Sequence, residues 1–387
     1  MGDLYAHTAD WHLRDSQFAS PNRGDDFTNA AFTVIDVCMG YGVKAIFNSG
    51  DILNNRRPSS RNIQDLTEID KRLRSAGIPM FVISGNHDLA RPSWISILDE
   101  ETRQDSSKKT SGIINADNKT LPIGDTGMTV YGLPSVGARA FRQVGWPDAD
   151  ILLSHELVKE FCAFPADKDA LSIADYPTDK YKAILLGDIH TCKYKIVDEC
   201  LIGYPGSIEL CSRVESTEKS VTMLEIEKKV ITNVDSLKHI SIPTRMSLVY
   251  RIHSEEEAEI ALADLKSYVD QDPIVLIKYD RRMHSIPAMF RTVLVGSKAL
   301  LRCAAFADIN AAHILGVGGE NEELLRLKKP QDFVADYIPA NTKLYSVALT
   351  LCDPEQDHRR VVTDYVMEEM KEENADSTFK NPGLWTA

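Results

Sequence analysis

Along the first half of the chain, short apolar runs break off repeatedly into small polar clusters. A run ending at Ala6 is followed by Asp10 and His12, and residues 43–47 lead into Gly50 and Asp51. Residues 79–83 lead into Gly85, Asn86, His87 and Asp88, residues 151–153 into Ser154 and His155, and residues 183–186 into Gly187, Asp188, Ile189 and His190. Short apolar runs bounded by Gly, Asn and Asp read as buried strands. Between them, residues 25–41 place apolar side chains at helical spacing and run into Gly40 and Gly42, a stop signal. Residues 64–75 predict a second helix with Gly77 behind it. Strands alternating with helices predict a layered α/β architecture. Residues 106–123, rich in Ser, Lys, Asn and Gly, predict a loop before a strand at 128–133. Residues 223–226 and 230–234 predict a hairpin.

Near residue 235 the texture changes. Residues 247–252 and 273–279 predict strands, residues 255–269 an amphipathic helix, and residues 292–294 form a further apolar run. The last segment predicts helical pieces at 322–328 and 332–337, a strand-like run at 343–351, and a helix at 359–373. Val362, Tyr365, Val366 and Met370 share one face of that helix, and residues 374–387 read as a frayed end. The expected division is therefore 1–235, 236–310 and 311–387.

In open α/β sheets, ligands bind at the carboxyl ends of the strands. Five strand ends bearing Asp, His and Asn predict a metal site there, with two ions. Carboxylate oxygen and neutral imidazole suit Mn²⁺, Fe²⁺ and Zn²⁺, and no Cys lies at any of these strand ends. Two-metal hydrolases hold their ions roughly 3.5–4 Å apart, which calls for a bridging carboxylate. Taken singly, Asp-x-His or Gly-Asp is weak, since either suits an ordinary turn. Gly-Asn-His-Asp after a strand is stronger, and all five clusters in order leave little room for coincidence. His7 is different: it sits inside the first strand and reads as a satisfied core histidine.

The order Asp-x-His, Gly-Asp, Gly-Asn-His-Asp, Ser-His, Gly-x-x-His resembles the calcineurin-like metallophosphoesterase superfamily. Within it the chain is most similar to SbcD-type DNA nuclease subunits, including those of phage recombination. The details are HTADWHL at 7–13, VISGNHD at 82–88 and IGYPGSIEL at 202–210. The resemblance implies a four-layer α/β/β/α sandwich with a small α+β capping domain and a helical C-terminal tail. It implies that Asp10, His12 and His190 hold a first metal and that Asp51 bridges. Asn86, His155 and Asp188 complete the second site. His87 would assist the leaving oxygen as water attacks phosphorus in line, and Asp88 would orient a ligand or His87. Where the family reads Gly-His-x-His, this chain has Asp188, an oxygen donor that favours Mn²⁺ or Mg²⁺ over zinc. The implied activity is a Mn²⁺-dependent nuclease, two ions per chain with Mg²⁺ as the alternative, acting on double-stranded DNA ends or hairpins in recombination or repair. Implied partners are duplex DNA and an SbcC-like SMC-family ATPase docked on the 311–387 segment, in a heterotetramer if the chain dimerises.

Composition sharpens this picture in places. At 387 residues the chain exceeds most single cores, and 43% apolar with 26% charged is ordinary for a globular protein. Seven Cys without close pairing fit reduced thiols, and no signal peptide or transmembrane run is expected, which suggests a cytoplasmic location, the host's if phage-encoded. No Walker-type glycine loop occurs, so ATP hydrolysis would belong to a partner, and no Gly-x-Ser-x-Gly elbow suggests a serine hydrolase. A net charge of −13 is unusual for a DNA binder. Phosphate contact needs local cations, however. Arg14, Arg56, Arg57, Arg61, Arg91, Lys193 and Lys195 follow the motifs and are the expected phosphate path. Two rivals stand beside the nuclease. One is a phosphomonoesterase or cyclic-nucleotide phosphodiesterase on the same core. The other is a non-catalytic scaffold that lost its second metal at Asp188.

Overall fold

The computed structural model describes residues 3–18, 20–89, 93–102, 111–162, 170–212, 215–225, 234–280 and 282–305. The elements in chain order are β1 (Leu4–Thr8), α1 (Asn22–Tyr41), β2 (Ala45–Asn48), α2 (Ser60–Ala76), β3 (Pro79–Val82), α3 (Trp94–Thr102), β4 (Gly112–Asn115) and β5 (Thr120–Pro122). They continue with β6 (Thr129–Leu133), α4 (Ala138–Phe141), β7 (Ile151–His155), β8 (Ala183–Gly187), β9 (Lys193–Val197), β10 (Cys200–Tyr204), β11 (Lys219–Glu225) and β12 (Lys238–Ile242). The last are β13 (Ser247–Ile252), α5 (Glu255–Lys266), β14 (Ile274–Tyr279), α6 (Ile286–Val293) and β15 (Leu300–Ala305).

Two six-stranded sheets form the body, in the orders β12-β11-β1-β2-β3-β4 and β5-β6-β7-β8-β10-β9. Side chains alternate across each strand, so a buried strand feeds two different cores. Ala6, Ile46, Met80 and Val82 face α1 and α2 with Val34, Ile35, Leu66 and Leu73. Tyr5, Phe47, Phe81 and Ile83 instead meet Ile151, Leu153, Ala183 and Leu185 between the sheets. On the far side, Leu152, Ile184, Leu186 and Ile202 pack with Phe141, Phe161, Tyr176 and Tyr204. Three apolar interfaces separate four layers. The fourth layer is thin among the described residues: the four-residue α4 and short 3-10 turns at Lys159–Phe161 and Ile173–Asp175.

The helices begin and end where local chemistry dictates. Ser59 accepts from Asn62 N–H at 3.2 Å to cap α2, and Gly42 and Gly77 close α1 and α2 with left-handed φ of 63° and 70°. A third sheet, β13-β14-β15, accompanies α5 and α6. Two compact units are distinguished, residues 1–250, 256–277 and 287–302 in one, and 251–255, 278–286 and 303–387 in the other. No helix among the described residues is long and apolar enough to cross a membrane.

Two expectations are corrected here, and one unassigned run finds its element. The 106–123 segment is not only loop: β4 adds to β3 as a parallel edge strand, and β5 pairs with β6. Their short runs, Ile113-Ile114 and Leu121, are diluted by polar neighbours, so pairing rather than pattern makes them strands. The ladder partner of β11 is β12, at Lys238–Ile242, and residues 226–233 of the expected hairpin lie outside the described residues. The 292–294 run closes helix α6. The pieces expected within 311–387 also lie outside the described residues.

A buried charge network ties α1 to the segment after β10. Arg23, fully buried, donates to Glu209 at 3.2 Å, to Asp26 at 2.7 Å and to the Leu210 carbonyl at 2.8 Å. Arg245 grips both oxygens of Asp26 at 2.6 and 2.7 Å. Removing one partner of a buried pair leaves an uncompensated charge. Arg23→Ala is therefore expected to cost about 3–5 kcal/mol in urea unfolding. The half-exposed Arg72, paired with Asp36 and Glu68, should cost less than about 1 kcal/mol on the same substitution. Equal losses would show that the Arg23 network does not hold the domain.

Candidate metal centre

The polar clusters at the carboxyl ends of β1, β2, β3, β7 and β8 converge, because these strands run parallel within their sheets. The loops after β1 and β2 are laced together: Asp10 N–H donates to Gly50 O at 3.0 Å, His12 to Asp51 O at 2.9 Å and Leu13 to Ile52 O at 2.9 Å. Asp88 stitches in the β3 loop, its carboxylate accepting from the N–H groups of Gly85 (2.6 Å), Ile52 (2.8 Å) and Leu53 (3.3 Å). It holds backbone rather than a ligand ring. Two glycines are required by crowding. A Cβ on Gly85 would collide with Asp51 Oδ1, and one on Gly187 with Ser49 O and the His155 ring.

Four of the expected ligands sit at left-handed φ: Asp10 at 53°, His12 at 47°, Asp51 at 52° and Asp188 at 100°. Such residues cost about 1–3 kcal/mol each and persist only where surrounding structure over-determines them. Here the strain points four side chains at one place. Asp51 Oδ2 lies 3.6 Å from His12 Nε2 and 3.5 Å from His155 Nε2. His155 Nε2 is 3.8 Å from Asp188 Oδ1, and Asn86 Nδ2 donates to that oxygen at 3.3 Å. His190 Nε2 is 3.8 Å from Asp10 Oδ1 and 3.2 Å from His12 Nε2. All seven residues expected from the motifs are thus brought together, Asp188 included.

The donor set fits divalent cations. His155 Nδ1 donates to Ser49 O at 2.7 Å, which leaves Nε2 unprotonated in the neutral ring. That Nε2 is buried with no hydrogen-bond partner, and so is His12 Nδ1. His190 Nδ1 is held by Glu215 at 2.9 Å, which turns its Nε2 inward in the same way. Candidate ligand groups include Asp10, Asp51 and His155 as one trio, and His12, His190 and Cys211 as another.

Charge within the cluster is out of balance. Burial pushes Asp10 up to about 6. Asp51 would also rise on burial, but His155, His12 and the His87 N–H hold it down at about 2. Burial would depress His155, yet Asp51, Asp10 and Asp188 raise it to about 10. His190 likewise overcomes burial and reaches about 11, through Cys211, Glu215 and Asp10. The carboxylates thus draw protons onto two rings that, neutral, offer lone pairs to a cation.

His87 stands at the rim and is exposed. Its N–H donates to Asp51 Oδ1 at 2.9 Å, and its ring Nδ1 to Asn54 O at 2.9 Å, which makes Nε2 the unprotonated nitrogen of the neutral ring. It lines a cavity of about 520 Å³ with Asn54, Asn55, Arg56, Arg57 and Asn86. Of the cations expected on a phosphate path, Arg56 and Arg57 are exposed there. Arg14 is spent on the His12 carbonyl and the Phe27 ring, Arg61 on Asp25, Lys193 on Phe161 O and Lys195 on Glu160 O. Arg91 lies outside the described residues. His7 is a satisfied core residue, bonded to Tyr194 and Ser49.

Motif reading missed Glu215, Lys219 and Cys211. Glu215 joins His190 to Lys219 (2.8 Å) and Ser207 (3.2 Å). Their only sequence signal is a Glu and a Lys four apart, ahead of an apolar strand.

The family profile of calcineurin-like phosphoesterases matches residues 4–192. Among curated proteins, the chain is 27% identical over 293 residues to the DNA double-strand break repair protein Mre11 of Methanosarcina acetivorans, covering 71% of this chain and 45% of that one. It is 29% identical over 247 residues to the protein of that name from Halobacterium salinarum, covering 62% and 60%. With the Haloferax volcanii protein it shares 22% over 391 residues, covering 98% and 83%. The chain spans about half the length of the first two relatives.

Two outcomes follow from the charge balance. Mn²⁺ must displace the protons on His155 and His190, so its affinity should climb between about pH 6 and 9 with net proton release, read by calorimetry in buffers of different ionisation enthalpy. Binding that ignores pH would refute the charge argument. Glu215→Gln, by loosening the His190 ring, should weaken Mn²⁺ by roughly 10–100-fold. Unchanged affinity would make Glu215 merely structural.

Proposed function

Residues 4–192 are a calcineurin-like phosphoesterase domain, and we propose that the chain is a metal-dependent DNA nuclease of the repair type. The observation that carries this reading is the joint arrival of Asp10, His12, Asp51, Asn86, His155, Asp188 and His190 on one patch, with His87, Arg56 and Arg57 at its open rim. Relatives named for DNA double-strand break repair support the substrate. The 1–235 part carries the chemistry, 236–310 caps it, and 311–387 docks an SMC-like ATPase. The setting is recombination or repair of duplex ends or hairpins in the cytoplasm.

Asp10, His12 and His190 hold the first cation, Asp51 is shared, and Asn86, His155 and Asp188 hold the second; Mn²⁺ suits this oxygen-rich set. Two such cations supply a nucleophile at neutral pH and neutralise charge on the phosphoryl oxygens. His87 acts at the other side of the phosphate. With Nδ1–H fixed on Asn54 O, the cationic ring presents Nε2–H to the leaving oxygen, and the neutral ring takes its proton back from solvent. Arg56 and Arg57 bind flanking phosphates as exposed cations, a role that a closed pocket for a small ester would not need. Asp188 stands in place against Asn86 and His155, which argues against a scaffold that lost its second site.

The test is cleavage of end-labelled linear duplex DNA in Mn²⁺, with and without the ATPase. Wild type is expected to cut, and His87→Ala to be slower by about 10²–10⁴-fold while binding Mn²⁺ equally well. Hydrolysis of a nitrophenyl phosphodiester without cleavage of DNA under any condition would replace the nuclease with a small-ester enzyme.

A further inference from the structure

We propose that Cys211 is a third donor beside His12 and His190, so that the first metal position takes a thiophilic cation such as Zn²⁺ through sulfur. Sequence spacing gives no hint of this, because Cys211 follows none of the five strand ends. It arrives through the loop after β10. The donor atoms of His12, His190 and Cys211 lie within 4.8 Å of one another, close enough for side-chain rotation to bring all three onto one ion. His12 is 3% exposed, and its Nε2 lies 3.2 Å from His190 Nε2, an approach of two ring nitrogens that a shared cation would satisfy.

The loop is built to hold the sulfur there. Cys211 N–H donates to Glu215 Oε2 at 3.1 Å, and its carbonyl accepts from Gln17 Nε2 at 2.7 Å. The other oxygen of the same carboxylate, Oε1, holds His190 Nδ1. One side chain therefore sets two donors at once, and Lys219, 2% exposed, fixes that carboxylate in turn. Cys211 and His190 are only half-buried, so a cation can enter and leave from solvent.

The chemistry is ligand exchange. The hydrated ion gives up waters, the protons on the thiol and on the His190 ring pass to solvent, and a metal–sulfur bond forms beside two metal–nitrogen bonds. Thiolate and imidazole select Zn²⁺ over Mn²⁺, whereas the Asp51, Asn86 and Asp188 side lacks sulfur and keeps its preference for hard cations. Zinc thus competes for the first position while manganese holds the second. The inference rests on the first metal position proposed above and is independent of what the enzyme cleaves.

Cobalt reports sulfur directly. Full-length protein stripped of metal and titrated with Co²⁺ should show visible d–d bands together with a near-ultraviolet sulfur-to-cobalt charge-transfer band. In Cys211→Ser and Cys211→Ala, the charge-transfer band should vanish and the visible bands remain. Zn²⁺ affinity should fall by at least the roughly 10-fold that losing even an outer partner costs, with Mn²⁺ affinity unchanged. Visible bands without charge transfer in the wild type, or a band that survives in both variants, would overturn the assignment. No cobalt spectrum at all would overturn the first metal position with it. A sulfur band in a protein that cuts no DNA would leave Cys211 standing and remove only the nuclease.

Discussion

The first 225 residues enclose a concentration of buried carboxylate that, among the described residues, no lysine or arginine neutralises. Asp10 and Asp51 are fully buried or nearly so, and Asp188 is three-quarters covered. Among the described residues, their ion pairs are all with histidine. Burying ionised groups without compensation is costly, and proteins normally shift pKa or bind a metal instead. Protons drawn onto His155 and His190 are the metal-free answer. They sit on the same nitrogens that a cation needs. Proton and metal are thus rival solutions to one electrostatic problem, and the left-handed backbone at Asp10, His12, Asp51 and Asp188 keeps that problem from relaxing away.

The rest of the fold resists that strain. Two mixed sheets bring the carboxyl ends of their parallel strands together because Phe47, Phe81, Leu153 and Leu185 pack face to face between them. Backbone ladders between the β1 and β2 loops, and the three N–H groups on Asp88, lock the loops laterally. Arg23 and Glu209 then fasten the segment carrying Cys211 and Glu215 onto α1, with Gln17 and the Cys211 carbonyl as a second clasp. A site that must hold like charges close together needs support from several directions, and each support comes from a different stretch of chain.

The parts legible in the sequence were those where one residue decides the matter locally. Short apolar runs such as 43–47, 79–83 and 183–186 marked the strands, and Gly-Asn-His-Asp at 85–88 marked the site, because both patterns are short-range. What escaped depends on partners far along the chain. β4 is a strand because β3 offers it an edge. Arg14, Arg61 and Lys193 looked free beside the motifs, but Phe27, Asp25 and the Phe161 carbonyl engage them. Glu215 and Cys211 carry no motif. They matter only because β10, β11 and the loop between them pass the open side of His190.

Asp188, where the motif resemblance leads one to expect histidine, and Cys211 acquire meaning together. On the assignments proposed here, the second position holds a carboxylate in place of that imidazole, and is harder and more negative. The first position has a sulfur within reach and becomes softer. Asp51 is common to both, and with its pKa held down at about 2 by His155 and His12 it remains a carboxylate whichever cation is bound. The two positions therefore favour different cations while sharing one bridge. A loss of symmetry in the donors need not mean a loss of the site: removing the bridging carboxylate would disable both positions, whereas exchanging an outer donor retunes only one.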